Sequence, residues 1–279
     1  MEKIKDDIYA EIHYLGCNPS FVVTSIGVVM VDTPGLNPLE AFEWKKEIEK
    51  HGNVVYIINT DHHWDHAFGN YFFSGDIVMH EGTRKRMLDE GRVKDPSRNF
   101  ERLIDPQLRL LTQHYFVRKP KLTYSDRMNL YLGEDQFELI HISGHTQDET
   151  IVYLPRQKVL FTGDNVCTLG IPNLSESSLQ GWFEALKLME RLDIDVVVPG
   201  HGEVGNKDCI KTFHGELSSL LNRVKEKVEK GWTRDEVMAQ VSYEDMIHRQ
   251  YSPENSERSR RNVKSGIGRL YDFVVKQQP

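Results

Sequence analysis

Cysteine is scarce in this chain, with three among 279 residues. Cys17, Cys167 and Cys209 are too few and too scattered to form a disulfide framework. Long apolar runs are also missing, since no stretch approaches the length of about 20 residues that a membrane helix needs. The first seven residues lack the apolar core of a secretory signal. We therefore expect a cytoplasmic protein that has no membrane partner.

An excess of basic residues is absent as well. The chain has 35 Lys and Arg against 42 Asp and Glu, which gives a formal net charge of -7. A nucleic-acid-binding protein is expected to carry a basic face, so we expect no nucleic-acid partner. Hydrophobic residues make up 39% and charged residues 28% of the sequence, as is ordinary for a globular protein with a sizeable core.

The richest group of potential metal ligands follows one apolar run. The sequence VVYII at 54–58 predicts a buried strand. It is followed by TDHHWDH at 60–66, which places three histidines and two aspartates within six residues. Imidazoles and carboxylates at this density favour a transition metal such as zinc. The alternative interpretation is a polar surface loop.

Three more candidate ligands come after predicted strands: His145 after 136–142, Asp164 after 159–162, and His201 after 196–198. Short loops at the ends of rigid strands are what a preorganised metal site needs. The other histidines lack such a context, and we would inspect only His114 and His141 near a substrate.

These motifs resemble those of the metallo-β-lactamase superfamily. The stretch 61–66 is similar to its H-x-H-x-D-H motif, with Asp61 in place of the first histidine. The later elements of the family are matched in order: G-H-T by SGHT at 143–146, G-D by TGD at 162–164, and P-G-H-G by PGHG at 199–202. The resemblance covers roughly residues 8–205.

The order of predicted strands and helices favours mixed sheets covered by helices. Early strands pair as hairpins, and helices are predicted at 38–51, with Phe42, Lys45 and Ile48 on one face, and at 178–192. The family resemblance implies the more specific α/β architecture, an αβ/βα sandwich of two mixed β-sheets flanked by helices.

The predicted organisation is a metallo-β-lactamase-like domain at 1–205 and a C-terminal helical extension at 206–279 packed on the same domain. Residues 91–126 break the alternation of strands and helices, and we interpret them as an insertion over the mouth of the site. This insertion is either a lid or dimer contact or a solvated surface excursion. Whether the protein forms a homodimer stays open.

The resemblance implies a dinuclear centre with two divalent transition metals, for which zinc is expected and iron or manganese stays open. The first metal would take Asp61, His63 and His145, the second would take Asp65, His66 and His201, and Asp164 would bridge them. Three protein ligands with a bridge leave each metal a position for water, as in catalytic sites. Asp65 is the candidate catalytic residue, since it could orient a hydroxide while bound to metal.

The replacement of a histidine by Asp61 changes the charge and hardness of the first site. With Asp61, Asp65 and Asp164, two divalent ions and one hydroxide make a formally neutral centre. A carboxylate is a harder ligand than imidazole, which shifts preference toward iron or manganese. His62 is an alternative ligand, although adjacent side chains on an extended segment point apart. We therefore favour Asp61 as the ligand and place His62 outside the coordination sphere.

The implied activity is hydrolysis of a small molecule by a metal-bound hydroxide that attacks a carbonyl group of an ester, thioester, lactone or amide, including a β-lactam. Two alternatives belong to the same fold. One is a phosphodiesterase or nuclease, which the acidic balance disfavours. The other is an iron-dependent oxidoreductase, for which the ligand set is altered at Asp61. Substrate choice depends on loops, here 33–38, 91–126 and 166–178.

Overall fold

The first sheet of the protein contains seven strands in sequence order. The computed structural model describes residues 1–88, 106–247 and 256–277. The strands of this sheet are β1 (Glu2–Lys5), β2 (Ile8–Ala10), β3 (Ser20–Thr24), β4 (Gly27–Val31), β5 (Val54–Ile58), β6 (Asp76–His80) and β7 (Leu122–Tyr124). From β1 to β4 neighbours are antiparallel, whereas β4 to β7 run parallel. The carboxyl ends of β4, β5 and β6 therefore meet at one edge, where open α/β sheets bind ligands.

The second sheet contains five strands: β8 (Arg127–Leu132), β9 (Asp135–Ile142), β10 (Glu149–Leu154), β11 (Val159–Phe161) and β12 (Val196–Val198). Their order in the sheet is β12-β11-β10-β9-β8. Strands β11 and β12 are parallel, and the other neighbouring pairs are antiparallel. The two sheets thus use consecutive parts of the chain.

Helices cover the outer faces of both sheets. Within the described residues they are α1 (Pro38–Ile48), α2 (Trp64–Ala67), α3 (Glu81–Met87), α4 (Leu179–Arg191), α5 (Lys207–Glu229), α6 (Arg234–Gln240) and α7 (Ser256–Lys276). Short 3-10 helices occur at Phe68–Phe72, Pro106–Leu111, Gly163–Asn165 and Glu244–Met246. No helix of the described ranges combines the length and apolar composition needed to cross a bilayer.

Three apolar clusters hold these layers together. One lies between the sheets and includes Val29, Ile58 and Phe137. A second packs α1 on the outer face of the first sheet, and a third packs α4, α5 and α7 on the second sheet. Each fully buried large apolar side chain contributes roughly 1.5–3 kcal/mol of transfer free energy. The layer order helix, sheet, sheet, helix confirms the predicted αβ/βα sandwich.

The helix predicted at 38–51 forms as α1 and buries one face against the first sheet. Ala41, Trp44 and Ile48 are at most 1% exposed, whereas Phe42 is 36% exposed. Of the residues that the sequence places one turn apart, Phe42, Lys45 and Ile48, only Ile48 belongs to this buried face. The spacing of both sets fits a helix, and the large apolar area of the Trp44 indole decides which set faces the sheet.

The predicted insertion at 91–126 is described only from residue 106 onward, and 91–105 lie outside the described residues. Its described part ends in β7, which pairs with β6 and so belongs to the first sheet. Arg118 anchors it further by donating to the backbone carbonyls of Asn70, Phe73 and Gly75. This part is therefore built into the fold and is not a solvated excursion, while the lid or dimer contact stays a prediction.

Candidate metal centre

The histidine-rich loop begins directly after β5 and ends in α2. Two buried side chains fix it from below: the Asn59 amide donates to the His66 carbonyl at 2.9 Å, and the Asn70 amide donates to Asn59 Oδ1 at 2.7 Å. The backbone N–H of Thr60 donates to Asp32 at the end of β4, at 2.8 Å. These bonds fix the backbone of the loop at Thr60 and at His66, the two ends of the histidine-rich stretch.

The structure brings together the predicted ligands of the second metal. His66 Nε2 and His201 Nε2 lie 3.2 and 3.1 Å from Asp164 Oδ1. Asp65 Oδ2 lies 3.4 Å from His201 Nε2 and 4.0 Å from His66 Nε2. Ligands around a tetrahedral ion with bonds of about 2.1 Å are roughly 3.4 Å apart. The spacing of these four atoms therefore fits one transition metal.

The predicted ligands of the first metal also converge, with a shorter contact inside the set. His145 Nε2 lies 3.5 Å from Asp164 Oδ2. Asp61 Oδ2 lies 2.5 Å from His63 Nδ1, and Asp61 Oδ1 accepts from the His63 backbone N–H at 2.7 Å. Asp61 is therefore in ion-pair contact with the His63 ring, although its Oδ2 makes no hydrogen bond of acceptable geometry within the described residues. One atom each of Asp61, His63 and His145 still lies within 4.8 Å of the others.

His62 contacts Glu176 and the ring of its neighbour His63. Its ring is fully buried and its Nε2 lies 3.4 Å from Glu176 Oε2 in the loop after Asp164. The His62 and His63 ring centroids are 4.6 Å apart, and one potential ligand atom each of His62, His63 and Glu176 lies within 4.8 Å of the others. That His62 lies outside the coordination sphere therefore stays a prediction.

Two groups outside the predicted set orient the two histidines that are predicted to bind the second metal. Asp32 Oδ2 accepts from His66 Nδ1 at 2.8 Å, and the Gly16 carbonyl accepts from His201 Nδ1 at 2.6 Å. With the proton of each ring on Nδ1, Nε2 carries the lone pair that a metal needs. The signal for Asp32 was an aspartate at the end of an apolar strand beside β5. A backbone carbonyl such as that of Gly16 leaves no signal in the side-chain sequence.

The loop around Gly16 is itself tied to the His201 loop. The Asn18 amide donates to the carbonyls of Pro199 at 3.0 Å and Gly202 at 2.7 Å, and its backbone N–H donates to Gly200 O at 2.7 Å. Asn18 is only 7% exposed. These three bonds join the first half of the chain to the loop of the second sheet that carries His201.

Carboxylates dominate the electrostatics of the site. Burial opposes charging of His63, but Asp61 outweighs it and raises the pKa of His63 to about 9. Burial also opposes charging of His66, yet Asp61 and Asp164 raise its pKa well above the ordinary value. Burial lowers the pKa of His145 to about 4, which keeps its imidazole neutral, as a ligand must be. The negative potential that favours imidazolium favours a divalent cation in the same place.

Several buried atoms of the site support a metal on independent grounds. Asp61 Oδ2, His66 Nε2 and Asp164 Oδ1 are buried and make no hydrogen bond of acceptable geometry within the part of the chain that the structure describes. A buried polar atom without a partner costs free energy, so such atoms are rare outside functional sites. The donor set of imidazoles and carboxylates is the one zinc and related ions prefer. The residues present therefore fit a metal centre.

The other candidate histidines and the buried cysteines belong to neither predicted ligand set. His141 stacks on His80 with ring centroids 3.9 Å apart, and His114 is exposed. Cys167 is 4% exposed and forms a β-bridge with His201, and Cys17 is 1% exposed beside Asp32 and His66. Burial raises the pKa of the Cys17 thiol well above its ordinary value, so it stays protonated.

Comparison with known proteins agrees with this geometry. A model of the metallo-β-lactamase superfamily matches residues 14–201. A metallo-β-lactamase type 2 of Pseudomonas aeruginosa is 31% identical over 235 residues, which cover 79% of this chain and 85% of the relative. A hydroxyacylglutathione hydrolase of Pelagibacter ubique is 23% identical over 205 residues, covering 70% of this chain and 73% of the relative. A solved metallo-β-lactamase of Pontibacter korlensis superposes with a TM-score of 0.60 at 24% identity, covering 78% of this chain and 97% of that one.

The chain belongs to the metallo-β-lactamase superfamily, as its motifs predicted. It is accordingly an enzyme of the metallo-hydrolase class and depends on metal.

Proposed function

We propose that the enzyme hydrolyses a carbonyl compound of small size, an ester, thioester, lactone or amide, with two divalent metals. Zinc is the expected ion. Asp65, His66 and His201 would hold one metal, Asp61, His63 and His145 the other, and Asp164 would bridge them. The observation that carries the proposal is the distance of His201 Nε2 from Asp164 and Asp65, 3.1 and 3.4 Å, together with His66 Nε2 at 3.2 Å from Asp164.

The three carboxylates of the site differ in access to solvent. The side chain of Asp65 is 22% exposed, that of Asp164 8%, and that of Asp61 fully buried. Asp65 is therefore placed to touch a substrate or the attacking water, and we assign it the role of orienting that water and accepting its proton. Bound metals would supply Lewis acidity and lower the pKa of water.

The names of the relatives favour acyl chemistry over the alternatives. One relative is called a β-lactamase and another a hydroxyacylglutathione hydrolase. A phosphodiesterase or an iron-dependent oxidoreductase would use the same ligands, so substrate tests must include both. A cytoplasmic location and a homodimer stay predictions.

The first test combines metal analysis with a substrate panel. We expect about two transition metals per chain and turnover of a chromogenic ester, thioester, lactone or lactam. The same panel should include a phosphodiester, and oxygen uptake should be monitored. Elemental analysis that finds no metal before or after reconstitution would contradict the proposal, and so would turnover of the phosphodiester alone.

Variants locate the activity. His145→Ala and His201→Ala each remove a ligand of a different metal, so we expect each to lower kcat/KM by at least about 100-fold, as loss of a metal ligand or its support typically does. The matched control is His214→Ala, because His214 lies on α5 and pairs with Glu190 at 2.8 Å. Full activity in either ligand variant would show that the site is placed wrongly.

A further inference from the structure

The loop from residue 166 to 178 runs along the candidate metal centre. It starts two residues after Asp164, and the N–H of Thr168 donates to the carbonyl of His201 at 3.1 Å. At its other end, the N–H of Ser178 donates to the carbonyl of Gly144 at 2.8 Å, next to His145. The loop therefore connects the neighbours of ligands from both metals and forms one wall of the site.

The C-terminal segment holds the middle of this loop. Gly170 forms a β-bridge with Ile247, and the N–H of Ile171 donates to Met246 O at 3.0 Å. A Cβ at Gly170 would lie 1.8 Å from Met246 O, so the close approach requires glycine there. Leu174 is fully buried against α7 beside Gly266.

Two arginines from different parts of the chain donate hydrogen bonds to adjacent residues of the loop. Arg86 on α3 donates from Nη1 to Glu176 Oε2 at 3.0 Å and from Nε to Asp148 Oδ2 at 3.2 Å. Arg269 on α7 donates from Nε and Nη2 to the Ser177 carbonyl at 3.2 and 2.8 Å. Ser177 is 4% exposed, so its carbonyl depends on this donor pair for satisfaction.

Glu176 also contacts the histidine-rich loop, and so connects that loop to Arg86. Glu176 Oε2 accepts from Arg86 and lies 3.4 Å from His62 Nε2, directly beside His63. Asp148, the second partner of Arg86, lies three residues after His145. Arg86 therefore links the loops that carry ligands of the first metal to the loop 166–178.

We propose that Arg86 and Arg269 are positioning residues that clamp Glu176–Ser177 and thereby set the substrate pocket beside the first metal. In this arrangement α7 is a functional part of the site although none of its side chains is a predicted ligand. The substrate part of the proposal rests on the proposed hydrolase function. The clamp itself does not.

The physical expectation is a loss of order confined to one loop. Hydrogen bonds to charged donors stabilise local structure, and their loss opens a segment without unfolding the domain. A displaced wall weakens contacts with the substrate, whereas the metal ligands stay in place. Uniform loss of binding raises KM at unchanged kcat.

Hydrogen exchange of the metal-loaded enzyme tests the clamp. We expect amides of 168–178 to exchange about tenfold faster in Arg86→Met and Arg269→Met, the scale set by one charge-assisted hydrogen bond. Arg269→Lys keeps one donor and should restore most of the protection. The matched controls are Arg84→Met, exposed on α3, and Arg234→Met, which pairs with Asp272 on α7 at 2.9 Å.

Metal content and kinetics complete the test. We expect wild-type metal content in all variants, and in the two clamp variants a KM at least fivefold higher with kcat within twofold. Unchanged exchange of 168–178 in either clamp variant overturns the clamp. Faster exchange with unchanged KM overturns its role in the substrate pocket. A wild-type enzyme that turns over no carbonyl substrate refutes the proposed function and the pocket with it, while the exchange data still decide the clamp.

Discussion

Asp32 holds both a predicted metal ligand and the start of the histidine-rich loop in place, although it lies outside the sequence motifs. Its carboxylate accepts from His66 Nδ1 at 2.8 Å and from the N–H and hydroxyl of Thr60 at 2.8 and 2.6 Å. Its backbone is left-handed, with φ of 57°, a conformation that aspartate and asparagine tolerate better than most residues. Burial raises the pKa of Asp32, and the contact with His66 counters that rise.

We predict that Asp32→Asn lowers metal affinity by about 10–100-fold, the usual cost of removing a partner of a ligating histidine. Asparagine fits the left-handed backbone but offers one acceptor oxygen to three donors and no charge. Competition with a chromogenic chelator measures the affinity. Asp76→Asn, which changes an exposed partner of Lys121, is the control. Equal affinities in wild type and Asp32→Asn would rule out the orienting role.

Asp61 is the position at which this chain departs from the family motif. Its 2.5 Å contact with His63 leaves two roles open, either a ligand of the first metal or a partner that orients the His63 ring. The neighbouring imidazoles, His63 foremost, outweigh burial and hold the pKa of Asp61 below its ordinary value. The carboxylate is therefore charged in both roles.

Substitution separates these roles. If Asp61 is a ligand, Asp61→His should raise zinc affinity at the first site by roughly tenfold, because imidazole suits zinc. Asp61→Asn should lower it, since the charge is lost and no imidazole is gained. Calorimetric zinc titrations of the three proteins give the answer. Indistinguishable first-site affinities would mean that Asp61 does not bind the metal.

At the scale of elements, His80 joins β6 to α3. Its Nδ1 accepts from the N–H of Gly82 at 3.1 Å and so caps the helix, while Nε2 donates to the Ser125 carbonyl at 3.0 Å. Protonation of Nδ1 would remove the cap. Burial first, and then the neighbouring His141, lower the pKa of His80 from 6.5.

A pH dependence of stability follows from this cap. Because the folded-state pKa of His80 is lowered, its contribution is fully present above pH 6.5 and is lost as the pH falls through the lowered pKa. We expect about 1 kcal/mol, the usual contribution of an N-cap. His80→Asn keeps a capping oxygen that cannot be protonated. Urea unfolding at pH 7.5 and 5 should show a smaller loss of unfolding free energy in the variant, and parallel losses would contradict the assignment.

Most strands could be predicted because apolar runs bounded by turns are distinctive. The strands β9 and β12 lie where the sequence placed them, at 136–142 and 196–198. Strand β1 was missed because Glu2–Lys5 carries charge at three of four positions and owes its structure to pairing with β2. Strand β7 was assigned to an insertion, since three residues form too short a pattern without knowledge of their partner β6.

The candidate ligands could be predicted because chemistry fixes their side chains and motifs fix their spacing. The groups that orient them could not. Gly16 acts through its backbone carbonyl, which the side-chain sequence does not reveal. Asn18 donates to the carbonyl of Pro199, which lies 181 residues further along the chain. Contacts of this kind depend on how the two sheets pack against each other. The packing of the two sheets cannot be predicted from the residue pattern of a single sequence. The domain boundary expected at residue 205 stays a prediction.

At the scale of the whole molecule, the centre joins two halves of the chain. Asp61, His63, Asp65 and His66 follow a strand of the first sheet, whereas His145, Asp164 and His201 follow strands of the second. Removing a metal leaves several buried carboxylates facing one another across this junction. Such groups are costly without a counter-ion.

We therefore predict that chelation destabilises the whole domain. A metal bound with a thousandfold excess over its dissociation constant stabilises by about 4 kcal/mol, which for a chain of this size corresponds to roughly 10 °C in Tm. Thermal unfolding with and without EDTA measures the shift. The double variant His145→Ala/His201→Ala should respond little to EDTA. An equal shift in wild type and double variant would show that EDTA acts elsewhere.

When synthesis has reached residue 124, all strands of the first sheet are present in the nascent chain, yet neither proposed ligand set is complete. His145 completes the first set, and the second set waits for His201, just beyond the last strand of the second sheet. On the proposed assignment, a prematurely terminated chain that stops before residue 201 can hold at most the first metal. Complete ligand sets for both metals would therefore exist only in chains whose second sheet has been synthesised.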